Sequence, residues 1–442
     1  MPGQPKCGRL ELRRPARVGR VEPVRRSRAV DALRAVAVLL VLLHHLDIGP
    51  VVFGTPWLAW LRDLHAAGFV GVSLFLVLSG FSIHLRVAAG AQFRTRAFLW
   101  RRFLRLHPTY YVAMCFAAAV ALVSAAAGHP WAHPRWGFAD TPMPVPVLVA
   151  VHVTVLAGTL VPPGWLMVTW SLALEEQIYL VYAAAVRRMR RTSPVVWVLA
   201  GLALCLVWRV AAELLLPSTP KSFAPLAPQS SWVAALAFQQ VPSRLAEWLL
   251  GALAAEWYAG NQRLPRVLTS RVTALAGLAG VWWLFGHRGG YGTLGGHPFA
   301  ATDLVFDPAT GLAFAVLLCG CLAAERRRAE RHRGGSALVG RLAWLGERSY
   351  SLYLVQAPVL GTTFALCTGM IRPAAGRLAV AALAVALAVA AAALLYRFVE
   401  APTTAWSKRA GRRRGDRPDQ APAQRSAVAS SDQRYATASA PL

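Results

Sequence analysis

A chain of 442 residues that is 56% hydrophobic and only 15% charged cannot hide its apolar surface as a soluble domain, where roughly 45–50% and about 25% are usual. The formal charge of +27 is spread in short clusters between long apolar blocks. That is the pattern of inner-side loops on a membrane protein, and it argues against a nucleic-acid-binding face. The six cysteines, Cys7, Cys115, Cys205, Cys319, Cys321 and Cys367, show no zinc-site or disulfide spacing.

Residues 1–28 are rich in Arg, Pro and Gly and read as a disordered basic cytoplasmic arm. The block that follows carries Asp31 and Arg34 and leads to no small-residue cleavage site, so it is not read as a signal peptide. Residues 29–405 then read as an all-α, polytopic transmembrane helix bundle. About ten spans are expected, near 29–46, 66–85, 109–127, 164–186, 194–216, 242–258, 272–287, 304–324, 343–366 and 377–399. Basic clusters follow the second, fourth, sixth and eighth of these: Arg86 to Arg105, Arg187 to Arg191, Arg263 to Arg271, and Arg326 to Arg333. The intervening loops are nearly neutral, so the positive-inside rule places both termini in the cytoplasm. The short apolar stretch 145–161, bracketed by prolines, reads as a re-entrant or interfacial segment on the outer face. Residues 406–442, basic and then rich in Ala, Ser and Pro, read as a disordered cytoplasmic tail.

Ionisable side chains are costly in hydrocarbon, so those inside the spans are expected to face the bundle interior and to have a task. On the first span, Asp31 and Arg34 are three residues apart and can pair. Arg34 and His45 are eleven apart, about 16 Å and three turns, and so share one helix face. The plainer alternatives are a snorkelling Arg34 and interfacial histidines. Ser79 and Gly80 lie in a run of small residues suited to close helix packing. Arg101, Arg102 and Arg105 precede the third span at the cytoplasmic mouth. There they serve either as ordinary anchors or as a phosphate clamp, because the planar guanidinium binds phosphate bidentately. On the fourth span, Glu175 and Glu176 are adjacent, and Tyr179 lies on the same face as Glu175. Two carboxylates at mid-membrane are hard to explain as structure alone. The ninth span offers Ser349, Tyr350, Ser351, Tyr353 and Gln356, polar enough to line a cavity.

The ordered set of these stretches resembles the acyltransferase 3 family of bacterial membrane proteins, which acylate sugars, surface glycans and secondary metabolites. The resemblance rests on Asp31-Ala-Leu-Arg34 with His45, on Val72-Ser-Leu-Phe75 through Phe81, and on Arg101-Arg102-Phe-Leu-Arg105 with Pro108 and Tyr110. It extends to Trp170-Ser171-Leu172 with Glu175 and Tyr179, to Ser349-Tyr350 and Tyr353-Leu354, and to Glu400-Ala-Pro402. It implies an O-acyltransferase in the inner cell membrane that moves an acyl group, most simply acetyl, from acyl-CoA as co-substrate to a hydroxyl of a glycan or small molecule. No bound cofactor or metal is implied. On this register His45, Glu175, Arg34 and Tyr179 form the catalytic set, with His45 as general base. Glu175 then orients or charge-balances His45, or pairs with Arg34. Arg34 or Tyr179 steadies charge on the thioester oxygen. Arg101, Arg102 and Arg105 bind the CoA phosphates, and Ser79, Tyr350, Tyr353 and Gln356 line the substrate pocket. Family members often carry histidine where this chain has Gln356, which cannot titrate near neutral pH, so no proton transfer is assigned there. The rival reading is a secondary transporter with His45, Glu175 and Arg34 as a proton relay.

Overall fold

The computed structural model describes residues 27–54, 58–126, 169–215, 239–287, 291–294, 297–331, 336–367 and 374–413. Segment 145–161, nearly all of the basic arm, and the tail beyond residue 413 lie outside the described residues. The chain opens with α1 (Arg28–His45), the short α2 (Gly49–Gly54) and α3 (Ala59–Ala67), then α4 (Gly71–Ala88), α5 (Thr95–Ala126) and α6 (Thr169–Met189). It continues through α7 (Pro194–Leu215), α8 (Val241–Tyr258), α9 (Arg271–Gly286) and α10 (Ala301–Glu330). The last elements are α11 (Ala337–Glu347), α12 (Ser349–Leu366), α13 (Ala374–Leu395), a π-helical turn at Tyr396–Glu400, and α14 (Ala401–Arg413).

Three boundaries differ from the sequence reading. The helix expected from residue 109 starts at Thr95 and runs through Pro108, so the basic motif is already helical. The ninth apolar block is broken at Arg348 into α11 and α12. Helix α14 carries regular structure past residue 405, to Arg413. A short antiparallel hairpin, Tyr291–Leu294 paired with His297–Ala300, interrupts the helical pattern before α10.

Four stretches are long and apolar enough to cross a membrane by length and composition: Trp60–Ala88, Pro194–Ala212, Leu304–Glu330 and Ala374–Arg409. Helix α13 shows how such a helix divides its faces. Ala381, Ala384, Ala388 and Ala392 are buried, whereas Leu378, Leu383, Leu387 and Leu394 are exposed. Small residues bring its backbone close to its neighbours, and the leucine face is left for lipid tails. Leu199, Val207, Leu275 and Trp283 on α7 and α9 are exposed as well. Water penalises large apolar side chains exposed in this number, and hydrocarbon does not.

Glycines set the closest helix contacts. A Cβ placed on Gly80 of α4 would fall 1.9 Å from the Trp248 carbonyl oxygen, and one on Gly251 of α8 would fall 1.9 Å from that of Val77. The backbones of α4 and α8 therefore touch at a level where no side chain fits. This realises the packing role open to Gly80 in the sequence. Gly346 does the same between α11 and α1, where a Cβ would lie 1.7 Å from the Asp31 carbonyl oxygen. The start of α1 is fixed as well. Ser27 Oγ accepts from the Val30 N–H at 3.3 Å and donates to Glu325 of α10, and the Arg28 N–H donates to the same carboxylate at 2.9 Å. The N-cap thus satisfies an otherwise orphan helix donor and ties two distant helices together.

Candidate active site

Helices α1, α4, α5, α6, α11, α12 and α14 enclose a cavity of about 520 Å³. Of the residues singled out from the sequence, Arg34, Ser79, Arg102, Arg105, Glu175, Tyr179, Tyr350 and Tyr353 line it. These come from five helices and span more than three hundred positions, so only tertiary packing brings them together.

At the centre is Glu175. One carboxylate oxygen accepts from Ser79 Oγ at 2.5 Å and from the Tyr179 hydroxyl. Tyr179 lies one helical turn beyond Glu175, which the i, i+4 geometry of α6 brings onto the same face. The Arg102 guanidinium sits 5.4 Å from the centre of the Tyr179 ring and 5.6 Å from that of Phe98. Arg102 therefore approaches the Glu175–Tyr179 pair through an aromatic face, a favourable place for a cation. On the opposite wall Arg34 donates to Asp31 at 3.0 Å and to Ser82 Oγ at 2.9 Å. The close approach at Gly346 holds α11 against α1 beside this arginine. Ser171 and Tyr353 join their hydroxyls at 2.5 Å, with Phe75 edge-on to the Tyr353 ring. The Tyr350 hydroxyl donates to the Leu106 carbonyl at 2.9 Å. Glu400, in the π-helical turn, accepts from Ser351 Oγ at 2.6 Å and closes the end of the cavity near α14.

The adjacent pair Glu175 and Glu176 is divided by the helix. Glu175 enters the cavity, while Glu176 turns towards His107 of α5, with Nε2 to Oε1 at 3.5 Å. Arg101, His45 and Gln356 are not among the residues lining this cavity. The Arg101 backbone carbonyl instead accepts from Ser407 Oγ at 3.0 Å, docking α14 onto α5. His45 lies at the far end of α1 in a histidine cluster. Its ring centre is 5.4 Å from that of His44, and His44 Nδ1 is 3.0 Å from the His65 carbonyl oxygen. Gln356 is fully buried on α12, and neither polar atom of its amide has a hydrogen-bond partner among the described residues.

A second polar cluster, not read from the sequence, lies inside the bundle between α4, α7, α8 and α10. Asp307 accepts from Arg209 and pairs with Arg244 at 2.6 Å, and Arg244 also pairs with Glu247 at 2.8 Å. Arg209 donates to Ser243 Oγ and Arg244 to Ser73 Oγ, both at 3.1 Å. Two cations and two anions balance, which is the condition for burying charge. The signal was present in the sequence as ionisable residues within the fifth, sixth and eighth apolar blocks. Applying the same cost argument there as on the first and fourth spans would have found it.

Basic and acidic side chains converging on a cavity inside an apolar helical bundle mark a functional site in an integral membrane protein. Residues 27–397 match a family described as an acyltransferase domain. The chain belongs to this family, acyltransferase 3, and is a multi-pass membrane protein. It is 25% identical over 403 residues to the peptidoglycan O-acetyltransferase OatA of Listeria monocytogenes, an alignment covering 85% of this chain and 55% of that protein. It is 31% identical over 167 residues to the putative membrane-bound transacylase BcsY of Komagataeibacter xylinus, covering 36% of this chain and 37% of the relative. The chain thus spans about half the length of the first relative and about a third of the second. No solved structure matches it.

Proposed function

We propose that this enzyme is an O-acyltransferase of the inner cell membrane that moves an acyl group, most simply acetyl, from acyl-CoA to a hydroxyl of a carbohydrate or glycan. The observation that carries this reading is the single cavity in which Arg34, Arg102 and Arg105 surround Glu175, Ser79 and Tyr179. Guanidinium groups suit the CoA phosphates, and the paired hydroxyls and carboxylate suit a reacting carbonyl centre. The carbohydrate acceptor is suggested by the activity in the name of the Listeria relative.

In the reaction the acceptor oxygen attacks the thioester carbonyl carbon, the C–S bond breaks, and CoA leaves as the thiolate, which then takes a proton. His45 serves as the base for the acceptor hydroxyl. It stands eleven residues from Arg34 on α1, about 16 Å along the axis, so donor phosphates and base occupy opposite ends of one path that an extended pantetheine arm bridges. Glu175, held by Ser79 and Tyr179, orients charge along that path. Tyr350 and Tyr353 shape the passage along α12. In this topology ten spans leave both termini in the cytoplasm, where acyl-CoA resides. A cysteine placed at position 135 is then labelled from outside, and labelling from the cytoplasmic side alone refutes the arrangement.

The test is acyl transfer by the purified enzyme in liposomes, with acetyl-labelled acetyl-CoA and isolated cell-envelope glycan. Labelled ester together with free CoA thiol is expected. Proton-driven uptake of a solute without any release of CoA would favour a transporter and overturn the proposal.

A further inference from the structure

We propose that Lys408 is a donor-specificity residue that reads the 3′-phosphate at the nucleotide end of acyl-CoA. The inference rests on the donor reading above and concerns a part of the chain that lies past the matched family region, which ends at residue 397.

The wall of the cavity contributed by α14 is one helix face. Glu400, Ala401, Thr404, Ala405 and Lys408 line the space. Their spacing of i, i+1, i+4, i+5 and i+8 puts them in one stripe. Between its charged ends the stripe carries only Ala, Thr and Ala, so this wall is shallow and leaves width for a ligand. It is also fixed at both ends. Glu400 is pinned by Ser351 Oγ at 2.6 Å, and the buried Ser407, next to Lys408, donates to the Arg101 carbonyl of α5 at 3.0 Å. Lys408 itself is exposed and, among the described residues, has no hydrogen bond or ion pair. It is thus a free cation at the rim, on an anchored helix, about 12 Å along the axis from Glu400.

The order of cations along the cavity selects the phosphate. Arg102 lies deep, over the Tyr179 ring, and Arg34 is engaged with Asp31 and Ser82. A donor whose pantetheine arm runs past Glu175 towards His45 and whose diphosphate meets Arg102 and Arg105 brings its adenosine end out at the mouth. The charge there is the dianionic 3′-phosphate, and the rim cation that meets it is Lys408. A flexible ammonium suits this position because it follows a phosphate at a solvent-exposed rim without demanding bidentate geometry.

The experiment compares acetyl-CoA with 3′-dephospho-acetyl-CoA in the full-length wild type, Lys408→Ala and Lys408→Arg, each reconstituted in liposomes. In the wild type the KM for the dephospho donor is expected to be the higher. Lys408→Ala raises the KM for acetyl-CoA about tenfold, the size of one charge-assisted contact at an exposed site, with kcat held. It leaves the dephospho donor's KM unchanged, so the discrimination disappears. Lys408→Arg restores it, which separates loss of charge from damage to α14. Discrimination that survives Lys408→Ala overturns the inference, as does an equal rise in KM for both donors or a fall in kcat alone. A wild type that consumes neither donor overturns the donor reading itself, and this inference with it.

Discussion

Tyr179→Phe removes a single hydroxyl from the centre of the cavity and leaves the ring in place under Arg102. That hydroxyl and Ser79 Oγ donate to the same Glu175 oxygen, and Tyr179 is 4% exposed, so water cannot readily substitute. A hydrogen bond to a charged group contributes about 1.5–3 kcal/mol, which corresponds to a loss of roughly 10- to 150-fold in kcat/KM if the contact is needed in the transition state. Ser79→Ala should behave in the same way and be smaller in bulk effect. Because both donors converge on one oxygen, their effects should not add. The double variant is expected to depart from the sum by about 0.5–3 kcal/mol, the range for residues sharing one network. The assay is acetyl transfer from acetyl-CoA by protein in nanodiscs, with thermal unfolding measured in parallel to exclude collapse of the bundle. If Tyr179→Phe stays within about threefold of the wild type and the double variant is additive, the carboxylate cluster has no part in transfer.

Arg102→Ala and Arg105→Ala should each raise the KM for acetyl-CoA, whereas Arg101→Ala should do so much less, because Arg101 does not line the cavity; equal effects at all three in donor titrations would point to a diffuse electrostatic role. His45→Ala should lose about 10²–10⁴-fold in turnover while still binding donor, with His44→Ala milder, since consecutive residues on a helix point about 100° apart. An inactive His44→Ala beside an active His45→Ala, in the same turnover assay, would reverse that assignment. Gly251→Ala should destabilise by about 1–3 kcal/mol, because its Cβ meets the Val77 carbonyl oxygen at 1.9 Å and α4 must move away from α8; an unchanged unfolding midpoint in detergent would contradict the close contact. Asp307→Ala takes the carboxylate partner from Arg209 and leaves Arg244 with Glu247, and should cost about 3–5 kcal/mol, read as a lower unfolding midpoint and poorer yield. Wild-type stability in that variant would mean that the buried network is not needed.

The sequence by itself determined the class of protein. Apolar blocks of membrane length separated by basic clusters specify a helical bundle in lipid, because hydrocarbon leaves every backbone group to be satisfied within its own helix. It also marked most of the cavity. A charge or hydroxyl in an apolar block is costly enough to stand out one residue at a time, as Arg34, Glu175 and Tyr179 do. What it did not determine was which of those residues meet. Glu175 and Glu176 are identical and adjacent, and only the roll of α6 sends one into the cavity and the other towards His107. Arg101, Arg102 and Arg105 form one motif, yet only the last two reach the cavity. Lys408 reads as ordinary tail until α14 is seen to be docked through Ser407 and Arg101. The pairing of Arg209, Arg244, Glu247 and Asp307 likewise joins three helices that are distant in sequence. Hydrophobicity and spacing fix which face of a helix avoids lipid. Which helices share that interior, and at what height, is decided by close packing between them, as at Gly80 with Gly251 and Gly346 with Asp31.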